Sequence, residues 1–298
     1  MKFTGLISTT LLSATTLASL LAPAATFAAT PNNDADANGG TALPQTDQTT
    51  AGISFGDNKP NPNTGYLRLQ KVPSILDFGN HMEFNQAYPN FTADGKNTGN
   101  ASNNRFTSYK EADTNLTPVL KNTEAKNLGN MQGMTWVSVV DKQATRTNAD
   151  AGKKVTAKAG SWTLSVKANG ALTRIDTDGN QMDGSIPDAN IIFNKTASAQ
   201  TQDIYNLTGE AQDKDWTSDD SATAVSTDSS KISVPLATTT GNGAVVATAK
   251  DGEGSGANVF GWKPSDVTLA LPASATVTSP AKYQAQLTWT LSSDAANA

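Results

Sequence analysis

The chain has no cysteine and a single histidine among its 298 residues. The missing cysteine excludes a disulfide framework, a thiol nucleophile, a thiolate metal site and a lipid-modified N-terminal cysteine. A fold without disulfides must rely on its core, and a domain of about 230 residues can bury well over two thirds of its unfolded surface. The one histidine is His81, in Asp77-Phe-Gly-Asn-His-Met-Glu83. No Gly-x-Ser-x-Gly elbow is present, so Ser/His/Asp catalysis would have to run through His81, and a lone histidine in a polar loop is the pattern of a solvated side chain. Basic residues are also few, 22 against 27 acidic ones for a net charge of −5. Such a surface carries no electrostatic footprint for nucleic acid or anionic lipid.

Long apolar runs are confined to the first 29 residues. Met1-Lys2 is followed by an apolar, hydroxyl-dotted run from Leu6 to Ala22 and by the small residues Pro23-Ala-Ala-Thr-Phe-Ala-Ala29. This reads as a secretory signal peptide over 1–29, because the run is diluted by Ser and Thr and falls short of the ~20 apolar residues of a spanning helix. No later stretch is apolar enough to cross a bilayer, so no membrane span is expected in the mature chain. Removing Lys2 with the signal leaves 21 basic and 27 acidic residues, a net charge of −6. Residues 30–65 are polar, rich in Gly and Pro and poor in large apolar groups before Ile53 and Phe55. They read as a flexible leader, unable to bury enough to offset ordering entropy. Within it, Leu43-Pro-Gln-Thr-Asp47 echoes a sortase attachment signal, but Asp47 replaces the required Gly and no hydrophobic and basic tail follows. It reads as linker.

From Tyr66 onward, short alternating or apolar runs are separated by Gly, Asn, Asp and Pro. Candidate strands are 66–72, 75–78, 134–140, 155–159, 162–166, 191–193, 232–236, 244–249, 267–271 and 283–291. Helical periodicity is weak everywhere; residues 109–130 come nearest, and Pro118 interrupts them. The expected fold is all-β, an antiparallel β-sandwich or barrel-like Greek-key domain of about ten short strands over 66–298. Pro235 places its strand at a sheet edge or beside a bulge.

Other constellations offer weak chemistry. Asp176, Asp178, Asp183 and Asp188, or Asp213, Asp215, Asp219 and Asp220, supply the carboxylates that a glycosidase needs, but the first set lies in turn-forming sequence and reads as a solvated loop. Asp176-x-Asp178-x-Asn180 resembles the start of a calcium loop, yet Gln181 and Pro187 stand where that loop requires Gly and Glu. No metal and no cofactor is expected. Gly252-Glu-Gly-Ser-Gly256 follows a strand but opens no helix, so it reads as a hairpin turn begun by Asp251-Gly252.

The most organised stretch is the end, Tyr283-Gln-Ala-Gln-Leu-Thr-Trp-Thr-Leu-Ser292. Tyr283, Ala285, Leu287, Trp289 and Leu291 alternate with Gln and Thr, a period of two that only a strand turns into one dry and one wet face. Ser161-Trp-Thr-Leu-Ser-Val166 repeats the Trp-Thr-Leu core in a second alternating run. This pair resembles the signature of the WxL domain, a cell-wall-binding module of surface proteins in low-GC Gram-positive bacteria. The proximal motif is Trp162 to Leu164; the distal one, over 283–291, is Tyr283, Leu287, Thr288, Trp289 and Leu291. Val72-Pro-Ser-Ile-Leu-Asp-Phe-Gly79 and Asp266-Val-Thr-Leu-Ala-Leu-Pro272 look familial too, so the resemblance covers roughly residues 50–298. The tail, Ser293-Asp-Ala295, departs from the short proline-containing ending of the family.

The resemblance implies a secreted, non-enzymatic protein held non-covalently on the wall, with peptidoglycan, a WxL-interacting protein and other WxL surface proteins as partners. Like charges repel within a Debye length of about 8–10 Å, so a net negative chain favours peptidoglycan over teichoic acids. Trp162 and Trp289 keep step with Leu and Val, so both are expected to serve largely as core. Trp136, Trp216 and Trp262 are the candidates for exposed aromatics, Trp216 first because Asp213, Lys214, Asp215, Ser218 and Asp219 surround it. The alternatives are a carbohydrate-binding adhesin for host glycans and a wall-active glycoside hydrolase.

Overall fold

A computed structural model describes residues 35–293, apart from 37, 52–62, 106–127, 146, 149–152, 155–159, 217–222 and 238–242. The signal segment and the candidate strand at 155–159 lie outside the described residues, as does most of 109–130. The described residues are nearly all β, in mainly antiparallel sheets with no closed barrel among them, consistent with a sandwich.

The alternation that marks the C-terminus becomes a central strand, Lys282–Ser293. Its dry side chains from Ala285 to Leu291 are buried. On one side it pairs antiparallel with Trp162–Ala168, in the register Trp289 to Val166 and Leu291 to Leu164, and its first residues continue onto Leu172–Ile175. The two motif strands are therefore direct neighbours. On the other side it pairs with Gln45–Ala51, which in turn meets Ile75–Leu76 in parallel. Ala244–Ala249 and Thr227–Asp228 extend the sheet beyond Trp162–Ala168, and Gln181–Ile186 extends it beyond Leu172–Ile175.

Gln45–Ala51 corrects the reading of 30–65 as an entirely flexible leader. Apolar burial was the wrong measure for this segment, because hydrogen bonds hold it. Besides the ladder to the C-terminal strand, the buried Gln45 amide donates to the carbonyls of Thr41, Thr64 and Leu67 and accepts from Leu69 N at 2.9 Å. Asn38 brackets Leu67 in the same way, donating to its carbonyl and accepting from its N–H, both at 2.9 Å. The Leu-Pro-Gln-Thr-Asp stretch thus enters a sheet instead of linking domains.

The facing layer is a bent pair of ladders. Residues 190–201 run antiparallel to 256–270, first as Asn190–Asn194 on Val267–Ala270 and then as Ala197–Thr201 on Gly256–Trp262. Lys231–Pro235 flanks the first ladder as an edge strand, where Pro235 costs no ladder bond. Asn90–Thr92 and Lys96–Asn97 close its other side. Thr135–Asp141 and Leu67–Lys71 complete the second ladder.

Between the layers, Trp289 meets Trp262 at 6.0 Å and Phe193 at 5.9 Å between ring centroids, and Trp162 meets Phe260 edge-on at 6.4 Å. Tilted and edge-on aromatic contacts of this kind add to what area burial supplies. Thr135–Asp141 and Gly256–Trp262 are buried on both faces. Their inward side chains Val137, Val139, Phe260 and Trp262 join the main core, while Trp136, Val140, Ala257 and Val259 form a second core with Leu128, Met131, Ile204 and Leu207. Ile204–Thr208, the one α-helix among the described residues, covers this second core; the Asp203 side chain caps its start and Gly209 in the left-handed region ends it.

Residues 250–255 do not make a hairpin turn. The strands they join belong to different sheets, so the chain crosses the sandwich here. Gly254, at φ +78°, lies so close to Trp162 that a Cβ would stand 3.1 Å from the indole.

Candidate functional site

All four Trp and Leu residues of the two Trp-x-Leu motifs, Trp162, Leu164, Trp289 and Leu291, are fully buried, as is Leu287. Tyr283 is half-buried, and its hydroxyl oxygen accepts from Thr278 N at 3.0 Å. Trp162 Nε1 donates to Asp141 Oδ2 at 3.1 Å. Asp141 is itself fully buried and also accepts from Gln143 N at 2.9 Å, so the proximal motif is tied to the facing layer through an enclosed carboxylate.

Two of the three candidate exposed aromatics are instead core. Trp262 is 0 % exposed and donates from Nε1 to Thr196 Oγ1 at 2.9 Å; Trp136 is 3 % exposed in the second core. Their strands are covered on both faces, so neither face announces itself by polar neighbours. Trp216 is half-buried and packs on the second core.

On the wet face of the motif strands most side chains reach the surface, Ser165 being the buried exception. From Gln286 to Ser292 the C-terminal strand sets Gln286, Thr288, Thr290 and Ser292 beside Thr46 and Gln48 on one neighbour and Thr163, Ser165 and Lys167 on the other. Lys167 is the one charged residue among these positions. The amides are wired together: Gln286 Nε2 donates to Gln48 Oε1 at 2.5 Å, Asn169 Nδ2 to Gln286 Oε1 at 2.9 Å, and Thr288 Oγ1 to Asn169 Oδ1 at 2.6 Å. A pre-ordered row of neutral donors and acceptors suits a hydroxyl- and amide-rich ligand, since little side-chain entropy remains to be lost on binding. Sequence reasoning marked the alternation that makes this face but not Asn169 or Gln48, which come from other segments.

His81 and Asp176 are engaged in local hydrogen bonds. His81 Nδ1 and Nε2 lie 2.6 and 2.8 Å from the carbonyl oxygens of Asn103 and Phe78. Asp176 accepts from the backbone of Asp178 and Asn180 and from the Asn180 side chain; these bonds, led by the Asn180 amide, hold its carboxyl below the ordinary value. Its oxygens close a turn. Asp183, Asp188 and Asp215 are exposed, and Asp219 and Asp220 lie outside the described residues. Among the described residues no three His, Asp or Glu side chains come together to hold a metal, and no helix is long and apolar enough to cross a membrane.

Asp213, a candidate glycosidase carboxylate by sequence, is instead the centre of a buried ion cluster. It is buried with Arg68, which binds Oδ2, while Lys142 Nζ reaches Oδ1 at 3.0 Å and Thr208 Oγ1 reaches Oδ2 at 2.6 Å. Burial works to raise the Asp213 carboxyl, but the bonds from Arg68, Thr208 and Lys142 outweigh it and hold it below its usual range. Burial pushes the Lys142 ammonium down, only partly offset by Asp213. The cluster pins the turn around 208–214 to the second ladder.

The two Trp-x-Leu strands are thus neighbours in one sheet of a disulfide-free β-sandwich, with their indoles in the core and neutral polar groups outside. The family model for the WxL domain, a surface cell wall-binding domain, matches residues 26–294. The chain belongs to the WxL family. No curated protein and no solved structure matches it.

Proposed function

We propose that this chain is exported by its N-terminal segment and attaches, without catalysis, to peptidoglycan, the outer face of the motif sheet making the contact. Membership of a cell wall-binding family sets the class, and the observation that carries the finer reading is the neutral, hydrogen-bonded row Gln48–Gln286–Asn169–Thr288. Neutral amides and hydroxyls match the glycan and peptide of peptidoglycan, whereas an exported chain with 21 basic and 27 acidic residues, a net charge of −6, is repelled by anionic wall polymers. On this reading the motif tryptophans act from below, holding the sheet flat and in register. The other WxL surface proteins and the WxL-interacting protein that the resemblance implies are partners of the anchored chain.

The test is co-sedimentation of the chain lacking residues 1–29 with peptidoglycan stripped of protein and teichoic acid, with soluble reducing sugar read in the same tubes. Pelleting without sugar release, changing little between low and moderate salt, is the expected result. Release by moderate salt alone refutes the uncharged contact. Sugar release refutes the non-enzymatic assignment.

A further inference from the structure

A second polar surface lies on the side of the sandwich, away from the outer face. A cleft of about 390 Å³ opens between the edge strand Ala197–Thr201 and residues 224–225, which lead to the edge strand of the motif sheet. One wall carries Ser198, Gln200 and Gln202, with Asn258 from the adjacent strand; the other carries Ala224 and Val225; Phe260 forms part of the lining. Phe260 stands edge-on against Trp162, so the cleft sits one side chain away from the proximal motif. None of its lining side chains is charged.

The amides in this wall are oriented by the backbone. Gln200 Nε2 and Gln202 Nε2 both donate to Ser255 O at 2.7 Å, and Asn258 Nδ2 donates to Gly254 O at 2.5 Å. With an N–H of each amide held by the backbone, Gln200 and Gln202 contribute their carbonyl oxygens to the wall as acceptors, while Asn258 is buried behind the surface. Gln202 Oε1 is occluded from solvent and has no partner among the described residues, a costly state for a buried acceptor. A ligand N–H that reaches this oxygen would relieve it. The Ser198 hydroxyl can donate to a ligand carbonyl, and the Ala224–Val225 wall suits a methyl group.

We propose that this cleft is a binding subsite for the acetamido group of an N-acetylated hexosamine. N–H, C=O and CH₃ in one small neutral group correspond to the acceptor wall, the hydroxyl and the apolar wall, and the volume is at the small end of ligand sites, fitting about one ring. Its biological source, a wall glycan, rests on the reading of direct wall attachment; the chemistry of the cleft does not.

The experiment is a ¹⁵N NMR titration of the chain lacking residues 1–29 with the β1,4-linked tetramer of N-acetylglucosamine, with the matching glucose tetramer, and with peptide-free peptidoglycan strands. The expected result is saturable shifts of the Gln200, Gln202 and Asn258 side-chain amides and of backbone 198–202 with both acetylated ligands. The glucose tetramer should give none. Stronger shifts with the wall strands assign the source to peptidoglycan; equal shifts leave the acetamido group as the whole determinant. Ser198→Trp, at an exposed position facing the cleft, should fill it and weaken binding at least tenfold with an unchanged fold, and Ala224→Leu should do the same from the opposite wall. Absent shifts at these amides, or equal shifts with the glucose tetramer, overturn the proposal. If the chain pellets with walls while the shifts are absent, wall attachment stands and the subsite falls. If the shifts appear but the chain does not pellet, the subsite stands and direct wall attachment falls.

Discussion

Replacing Trp162 by Phe separates what the proximal motif does for the fold from what it does for the wall. The indole is fully buried, donates from Nε1 to the buried Asp141 carboxylate at 3.1 Å, and has Gly254 against its ring. Phenylalanine keeps an aromatic body but removes the donor. Leaving the buried Asp141 acceptor without this donor costs about 1.5–3 kcal/mol, and the space left beneath Gly254 adds roughly 1 kcal/mol for the missing atoms. The total of about 2.5–4 kcal/mol is a large share of the ~5–15 kcal/mol that stabilises an ordinary domain. Urea unfolding, followed by tryptophan fluorescence and circular dichroism, should show a lower midpoint at unchanged slope. Asp141→Asn, and the double variant, complete a cycle whose coupling energy should be at least about 1 kcal/mol, since the two groups share one buried bond. Under conditions where Trp162→Phe remains folded, pelleting with peptidoglycan should match the parent chain. Additive single-variant costs would refute the buried bond as a source of stability. Lost pelleting in a fully folded variant would refute a purely structural role for Trp162.

Gly254→Ala should cost about 1–3 kcal/mol in the same unfolding assay, because the residue has φ +78° and its Cβ would press on Trp162. Trp262→Ala should cost about 3–5 kcal/mol as a core deletion, whereas Trp216→Ala, at a half-buried position, should cost less than half of that; equal losses would contradict the burial difference. Asp213→Asn should destabilise by about 3–5 kcal/mol by leaving Arg68 and Lys142 buried without their carboxylate. The pH dependence follows from the same group. Its folded pKa lies below the ordinary 3.8, so its stabilisation is fully present above that value and fades as pH falls through the folded pKa. Urea midpoints measured from pH 6 down to pH 2 should drop more steeply for the parent chain than for Asp213→Asn. Finally, removal of residues 30–51 should lower the thermal midpoint, because it strips Gln45–Ala51 from the C-terminal strand; an unchanged midpoint would mean that this ladder contributes nothing.

Alternation over 283–291 and 162–166 made much of the fold readable in one dimension. A period of two admits only a strand, and it assigned Leu287, Trp289 and Leu291 to the dry face on which they lie. The absence of cysteine and of convincing helical periodicity reduced the architecture to a core-stabilised sandwich or barrel. Alternation does not report whether the second face of a strand is also covered. Trp136 and Trp262 looked like surface aromatics for that reason, and the layers that bury them come from segments remote in sequence. Composition misjudged residues 45–51 because the partners of Gln45 and Asn38 are backbone groups, which have no signature in residue type. The Arg68–Asp213–Lys142 cluster unites positions up to 145 residues apart, and the neutral row outside the motif sheet joins Gln48 to Gln286 across 238. The sequence by itself determined the two motif strands, their dry faces and the family motif, since each depends on neighbours a few residues apart; strands such as Ala197–Thr201 and Gly256–Trp262 carried no such pattern. Only the tertiary structure decided which faces meet, which charges are enclosed and which polar groups remain for a ligand, because those depend on contacts that the chain makes after it closes on itself.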